Sequence, residues 1–363
     1  MSKTKGKTNS NSRNIENMAT YMLAEEPEAD KTLYSSYSAY SALMSIYPYT
    51  GGKTRAEIEE IFGVLDAASF KASQRDYGES GNDWGLLKRA DLFLIDNVCK
   101  LNTANVKDFV FKDLQAPEIV DYVNGYVEQR TNNMIKSMIT KPFSDGTKAV
   151  LLDTLYFKDI WFNQFDAAAT HKATFYGTKG EQQVDMMYQE AYFEVIGLDL
   201  IRLPFANTPI VLEIKKDSGY DKLIDFTAYA LNHNLESDSH YGVYDKVRLW
   251  LPKFEIETFG SIKSAYERMG IKSLFNAGAD ISKLSDDIYI SDVLQKAKIR
   301  VEETGTEAAA VTMATAEFAC AREDKDVRYL DFKVDHPFMY VLRDTEKDEV
   351  LFTGFVNNMP ESV

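Results

Sequence analysis

The residues best suited to chemistry in this sequence are scattered, and they form no complete catalytic motif. Residues 52–54 read G-K-T, the end of a phosphate-binding loop, but Tyr47 stands where that loop requires a glycine. The segment before it also reads as a helix, so a turn between two helices is the better interpretation. The acidic stretch "SKLSDDIYISD" lacks the spacing of a calcium loop. No G-x-S-x-G hydrolase motif occurs.

The histidines and cysteines suggest no metal site either. Zinc-ligand spacing is absent among His171, His233, His240 and His336. Two cysteines, Cys99 and Cys320, are too few for a disulfide framework and favour a reducing, intracellular origin. We expect Cys99 to be buried, which is the common fate of a free cysteine. We therefore predict no metal, no cofactor and no catalytic residue, and the protein is not expected to be an enzyme.

The composition argues against two classes of partner. The 363 residues carry a net charge of −15, and phosphate backbones bind basic surfaces, so we expect no nucleic acid partner. Apolar runs fall short of the ~18 residues that a membrane span needs. Residues 1–11 are basic but precede no apolar stretch, so we interpret them as a disordered tail and not as a secretory signal. We expect a monomer that is cytoplasmic, or secreted without a conventional signal peptide, with residues 12–363 in one domain.

The apolar pattern predicts helices early in the chain and strands from residue 149 onward. Residues 119–127 and 262–269 carry apolar side chains at helical spacing, and Gly270 is a natural helix stop. Strands are predicted for the runs "AVLLDTLYF", "PIVLEI", "KVRLWLPKFEIE", "PFMYVLRD" and "EVLFTGFVNN". Helices followed by strands joined through short connections indicate an α+β fold with a mainly antiparallel sheet.

One long segment of small residues stands out near the C-terminus, "EETGTEAAAVTMATAEFACARED" at residues 302–324. If it is read as a strand, one face carries only small uncharged residues, and both charges fall on the other face. The segment is flanked by loop-like sequence, which suggests two states, one exposed and one inserted into a sheet. A permanent strand and a short helix remain alternative interpretations, since Ala and Glu favour helix.

Many motifs, all in one order, resemble those of the serpin family. "VEETGTEAAAVT" resembles the hinge of the serpin reactive loop, and "LYFKDIWFNQF" is similar to the third-strand motif, with Trp161 at the family's tryptophan. "LPKFEIE", "MGIKSLFNAGADIS", "VDHPFMYVLRD" and "VLFTGFVNN" follow in the family's order, and the resemblance extends from about Ile15 to Pro360. It implies a large five-stranded central sheet with surrounding helices, a second β system and an exposed reactive-centre loop at about residues 303–327.

The resemblance also implies a mechanism, that of a suicide substrate. A target serine protease attacks the loop and becomes covalently attached as an acyl-enzyme. Before deacylation, the cleaved loop inserts into the central sheet, and about 14 residues at ~3.3 Å each carry the protease roughly 45 Å. The pull distorts the protease, so hydrolysis stalls, and the metastable native state drives the step. A non-inhibitory serpin acting as a binding or chaperone module, and a cross-class inhibitor of cysteine proteases, are the alternatives.

The resemblance assigns two sets of site residues. Glu303 aligns with an acid that the family pairs with a lysine, here Lys253. The sheet-opening set departs from the family, because Asp153 replaces an asparagine, Gln295 replaces a histidine, and no proline follows Ser35; we expect one hydrogen bond between Asp153 and Gln295. The sheet-opening set is Ser35, Ser38, Asp153, Gln295 and Lys253. The hinge set is Glu303, Gly305, Thr306, Glu307, Ala308, Ala309 and Ala310, with Gly305 as the flexible pivot.

The cleaved bond is placed by counting along the loop. In most serpins it follows the residue 14 positions after the hinge glycine, which gives Ala319–Cys320 here, with Phe318 one position earlier. Counting back from Pro337 gives Arg322 instead. We prefer the hinge count, because the inserted length sets where the protease ends, and so predict a chymotrypsin- or elastase-like target. Cys320 should then be accessible to alkylation.

Overall fold

The computed structural model describes most of the chain. The described residues are 10–24, 29–74, 85–102, 109–216, 246–286, 288–306 and 327–359. Helices within them are α1 (Ser10–Leu23), α2 (Ser36–Ile46), α3 (Gly52–Phe62), α4 (Ala67–Ser73), α5 (Glu118–Arg130) and α6 (Lys263–Met269). The predicted helices at 119–127 and 262–269 correspond to α5 and α6, and Gly270 ends α6 in a left-handed conformation.

The central sheet has six strands in the order β10-β11-β12-β3-β1-β2. They are β1 (Leu86–Asp96), β2 (Phe109–Lys112), β3 (Ala149–Ile160), β10 (Phe254–Ser261), β11 (Asp292–Val301) and β12 (Gly305–Thr306). Four of its pairings are antiparallel, whereas β1–β2 and β11–β3 are parallel. The sequence predicted five strands, and the additional one is the two-residue strand β12.

Two smaller sheets complete the β structure. One has the order β13-β9-β5-β4 and the other β15-β14-β8-β7-β6. Their strands are β4 (His171–Gly177), β5 (Gly180–Ala191), β6 (Glu194–Ile196), β7 (Leu200–Pro204), β8 (Ile210–Lys216), β9 (Lys246–Pro252), β13 (Tyr329–Lys333), β14 (Phe338–Asp344) and β15 (Glu349–Val356). Every residue of β14 and β15 is buried, as their continuous apolar sequence predicts.

The main core lies between the central sheet, helix α2 and the five-stranded sheet. Ten of the eleven residues of α2 are buried, although five of those ten are serines or tyrosines with polar ends. Ser35 begins the helix, and its hydroxyl accepts a hydrogen bond from Ser38 N. A second apolar cluster on the opposite face of the central sheet packs α5 against β1 and β3.

Several sequence expectations need correction. Strands β1 and β2 lie in the part of the chain expected to be helical. Helix α1 begins at Ser10, so Ser10 and Asn11 belong to a helix and not to the predicted tail, and Asn11 Oδ1 accepts a hydrogen bond from Tyr40 Oη. Cys99 is half-buried and not buried as predicted, because it lies in a turn after the end of β1, where its Sγ is 4.0 Å from the carbonyl oxygen of Lys148.

Candidate functional site

At the end of the central sheet near Ile160 and Val301, the short strand β12 lies between β3 and β11. We call this the upper end of the sheet. Below this point, the two strands pair directly in parallel, from Asp292 opposite Val150 to Ala297 opposite Leu155. We call this paired stretch, 150–155 with 292–297, the seam. Above it, β12 lies between them, antiparallel to both. The chain therefore already starts a strand at the point where the predicted hinge leaves β11.

A tight reversal of the chain produces β12. Glu302 and Gly305 exchange backbone hydrogen bonds, of 3.0 Å for Glu302 N to Gly305 O and 3.2 Å for Gly305 N to Glu302 O. This pairing turns the chain around Glu303 and Thr304. Gly305 and Thr306 are buried, although both fall in the loop that was predicted to be exposed. The start of the predicted loop at 303–306 is therefore part of the sheet system.

Gly305 is required by close packing and not only by flexibility. A Cβ atom built on this residue would come within 2.1 Å of the backbone oxygen of Asp159, and its φ of +153° is unfavourable for other residues. The sequence assigned Gly305 the role of a pivot. The structure shows that the glycine also permits the backbone of β12 to lie directly against β3.

Thr306 is fully buried, and it is held by the backbone of β3. Its hydroxyl accepts a hydrogen bond from Asp159 N at 3.1 Å and lies 3.4 Å from Asp159 O. The buried carboxylate of Asp159 accepts four hydrogen bonds, from Ile160 N, Asn207 N, Asn207 Nδ2 and Thr208 Oγ1. These donors compensate the buried charge. The sequence analysis did not identify Asp159, and the available signal was a second aspartate in a largely apolar strand.

Trp161 stabilises the turn before β12 through two hydrogen bonds. Its indole Nε1 donates to Glu302 O at 2.8 Å, and its backbone N donates to Thr304 O at 3.0 Å. The ring stacks on Phe205 with centroids 4.5 Å apart. The family resemblance pointed to Trp161, and the structure shows what it binds, which is the backbone of the hinge.

Glu303 forms the ion pair predicted from the sequence. Lys253 Nζ lies 2.8 Å from Glu303 Oε2, and Thr170 Oγ1 donates to Glu303 Oε1 at 2.9 Å. Partial burial raises the pKa of the Glu303 carboxyl, but the hydrogen bonds from Lys253 and Thr170 outweigh it, so the pKa lies below its ordinary value. Lys253 belongs to this upper group and does not touch the seam.

The other sheet-opening residues meet at the middle of the seam. Gln295 Nε2 donates to Asp153 Oδ2 at 3.0 Å and to Ser35 O at 2.9 Å, while its Oε1 accepts from Ser35 N at 2.9 Å. The hydrogen bond predicted between Asp153 and Gln295 is therefore present. One amide side chain links β11, β3 and the start of α2, and all of these residues are buried.

Asp91 is a further acidic residue at the seam, and the sequence analysis missed it. It lies opposite Asp153 in the β1–β3 ladder, and its Oδ2 binds Arg89 Nε at 2.7 Å. A charged residue within the apolar run "ADLFLID" was the available signal. Only the tertiary structure shows that two acids face each other there.

Part of the predicted site lies outside the described residues. It comprises Glu307, Ala308, Ala309, Ala310, Phe318, Ala319, Cys320 and Arg322. Within the described ranges, no three His, Cys, Asp or Glu side chains are grouped to hold a metal ion. In the same part of the chain, no helix has the length and apolar character to cross a bilayer.

Comparison with known proteins identifies similar sequences and a similar fold. The family model described as "Serpin (serine protease inhibitor)" matches residues 17–359. Iripin-3 of Ixodes ricinus is 29% identical over 91% of this chain and 89% of its own length. Leukocyte elastase inhibitor of Bos taurus is 28% identical over 92% of this chain and 94% of its own.

The fold predicted from the sequence is confirmed by a solved structure. The native-state crystal structure of Tengpin, a thermophilic serpin, superimposes with a TM-score of 0.82 at 21% identity. The match covers 99% of this chain and 96% of that one.

Proposed function

The chain belongs to the serpin family, and we propose that it inhibits serine endopeptidases as a suicide substrate, without being an enzyme itself. The observation that carries this proposal is β12. A two-residue strand already lies between β3 and β11, in antiparallel register with both. Loop insertion would lengthen this strand along the seam.

The register of β12 supports insertion of the small-residue face. A strand continued from Thr306 in this register would bring Ala308 opposite Phe157 and Ile299, and Thr312 opposite Asp153 and Gln295. Phe157 and Ile299 are buried in the main core, so a small side chain fits between them without displacing either. A threonine hydroxyl would offer Asp153 and Gln295 a new hydrogen-bonding partner when they part.

The protease supplies the covalent chemistry in this mechanism. Its serine hydroxyl attacks the carbonyl of the cleaved residue, the peptide bond breaks, and the amine carrying the rest of the chain leaves with a proton from the protease histidine. The freed loop then extends β12 and displaces the attached protease. Distortion of the protease's oxyanion hole stops water from completing hydrolysis. The protein acts here as a monomer bound covalently to its target.

We propose Ala319–Cys320 as the cleaved bond, with Phe318 and Arg322 as alternatives, and an elastase- or chymotrypsin-like target. The name of the leukocyte elastase inhibitor, a 28% identical relative, agrees with this class. Small or aromatic residues before the cleaved bond suit the specificity pockets of such enzymes.

The test is incubation with elastase, chymotrypsin, trypsin and papain, followed by denaturing gels. We expect a covalent complex that survives SDS with elastase or chymotrypsin, and none with the same protease after its serine is blocked. Mass spectrometry of the released C-terminal peptide identifies the cleaved bond. The peptide should begin at Cys320. Cleavage of the loop by every serine protease without any such complex would overturn the proposal and favour the non-inhibitory binding module.

A further inference from the structure

Two carboxyl groups face each other behind the seam. Asp91 and Asp153 are direct partners in the antiparallel β1–β3 ladder, so their side chains project from the same face of the sheet. Asp153 is fully buried, whereas Asp91 is only partly so. Two adjacent carboxylates that are both ionised repel each other strongly when one lies in the interior.

The hydrogen bonds around Asp153 suit a protonated carboxyl. Its Oδ2 accepts from the Gln295 amide at 3.0 Å. Its Oδ1 is buried and has no donor in ordinary hydrogen-bonding geometry among the described residues. A proton on Asp153 that is donated toward Asp91 satisfies this oxygen and removes the repulsion. Burial first, and then the negative charge of Asp91, raise the pKa of Asp153 well above its ordinary value.

The surrounding groups place the negative charge on Asp91. Arg89 supplies a positive charge, and its Nε binds Asp91 Oδ2 at 2.7 Å, away from Asp153. The groups facing Asp153 from other elements are neutral at ordinary pH. They are Gln295 of β11, Ser38 of α2 and Tyr266 of α6, whose pKa is raised by burial. Tyr37 of α2 and Tyr126 of α5, both near Asp91, also have pKa values raised by burial.

We infer that Asp91 and Asp153 hold one proton between them at neutral pH, and that this proton keeps the seam closed. Asp91 is therefore a further positioning residue, acting through Asp153 on the pairing of β3 with β11. The acid pair is argued from the register and burial of the two carboxyls and does not depend on inhibition, whereas its effect on inhibition rests on the proposed function.

The sign of the pH effect follows from what opening does to Asp153. Insertion of a strand separates Asp153 from Gln295 by one extra strand spacing of about 4.8 Å, while β1 keeps Asp91 beside it. Opening also lets water reach Asp153. Because burial is the largest cause of the raised pKa, hydration outweighs the lost amide bond, and the open state favours the ionised form. Raising the pH should therefore favour opening.

The test compares Asp153→Asn and Asp91→Asn with the native protein and with Asp185→Asn. Asp185 is a half-exposed acid of β5 paired with Lys172, and it serves as a matched control. We expect the unfolding rate of the native protein in denaturant to rise with pH by up to about tenfold per unit above the ordinary Asp range. Asp153→Asn should flatten this rise, and Asp185→Asn should keep it. Glu349, whose pKa is raised to about 7, contributes the same pH dependence to the native protein and to every variant.

Infrared spectroscopy supplies a readout that does not need inhibition. The native protein and Asp185→Asn should show buried carboxylic acid absorption at neutral pH, to which Glu349 also contributes because its pKa is raised to about 7, and Asp153→Asn should lose the remaining part. Asp91→Asn should lose that band at a lower pH than the native protein does, because removing the negative neighbour lowers the pKa of Asp153, and the rise in unfolding rate should shift to lower pH with it.

The outcomes separate the two proposals. A native band no larger than that of Asp153→Asn, or Asp153→Asn and Asp91→Asn that unfold with the native pH profile, would overturn the acid pair. If Asp153→Asn does not fold, the pH at which Asp91→Asn loses the band, compared with the native protein, still decides. A protein that keeps the band and the pH profile but forms no complex with any serine protease supports the acid pair and overturns the proposed function alone.

Discussion

Strands β3 and β11 are held together in different ways in their upper and lower halves. The upper half is filled by β12, whose backbone and Thr306 hydroxyl bond to Asp159 and Ile160. The lower half, the seam, has no intervening strand and depends on direct pairing and on one bridging amide, that of Gln295. Under the proposed mechanism, β12 is the start of the inserted strand, and the seam holds the contacts that insertion would break.

The two halves also respond to pH in opposite directions. In the upper half, the pKa of Glu303 is lowered, so its stabilising contribution exists above the ordinary Glu range and is lost as the pH falls through the folded value. In the lower half, the pKa of Asp153 is raised, so stability is lost as the pH rises. Acid should loosen the hinge turn, and alkali should loosen the seam.

The largest expected effect comes from Thr306→Arg. Thr306 is fully buried in the upper half, and burying an unpaired charge costs several kcal/mol. Insertion should slow by more than about tenfold, since 1.36 kcal/mol is a factor of ten, and the protein should be cleaved as a plain substrate. Titration of active protease with each variant measures the stoichiometry of inhibition. Thr306→Ser keeps the hydroxyl and should inhibit normally; an unchanged stoichiometry in the arginine variant would mean that β12 is not the start of insertion.

The next effect is that of Gly305→Ala. The new methyl group would collide with the backbone oxygen of Asp159, and overpacking of this kind costs about 1–3 kcal/mol. We expect β12 to leave the sheet, which proteolysis near residue 305 would detect as faster cutting. Gly260→Ala in β10 is the control, because nothing lies within 4 Å of its added Cβ. Equal proteolysis of the two variants would contradict the tight packing of the hinge.

Gln295→Met tests the lower half alone. It removes the amide that links Asp153 to Ser35 and leaves buried polar groups unpaired, at a cost of about 1–3 kcal/mol. The uncleaved variant should unfold at a lower temperature than the uncleaved native protein, whereas the loop-cleaved variant should change less, because the proposed insertion opens the seam in that form. Gln183→Met, at an exposed position of β5, should alter neither. If both forms lose the same stability, Gln295 does not act on the seam.

The smallest effect belongs to Glu303→Gln. The Lys253–Glu303 pair is partly exposed, so its loss should cost on the order of 0.5–1 kcal/mol at neutral pH. The difference in unfolding temperature between variant and native protein should vanish as the pH falls through the lowered pKa of Glu303, because the native carboxyl is then protonated too. A difference that persists in acid would show that the ion pair is not the cause.

The sequence predicted much of the framework because local pattern and burial agree there. The continuous apolar runs of β14 and β15 and the helical spacing of α5 leave few other structures for those residues. Strands β1 and β2 were missed, because their position early in the chain among helices gave no signal of pairing with β3. The ion pair of Lys253 with Glu303 came from resemblance alone, since the two residues are far apart in the chain.

By itself, the sequence determined the family, the small-residue face of the hinge and the amide–carboxyl bond at the seam, because residue type and order suffice for these. Tertiary structure alone decided that Gly305 and Thr306 already lie in the sheet, since this depends on the space between β3 and β11. It also decided that Asp91 faces Asp153. Strand register sets that pairing, and a shift of one residue would turn the two carboxyls to opposite faces.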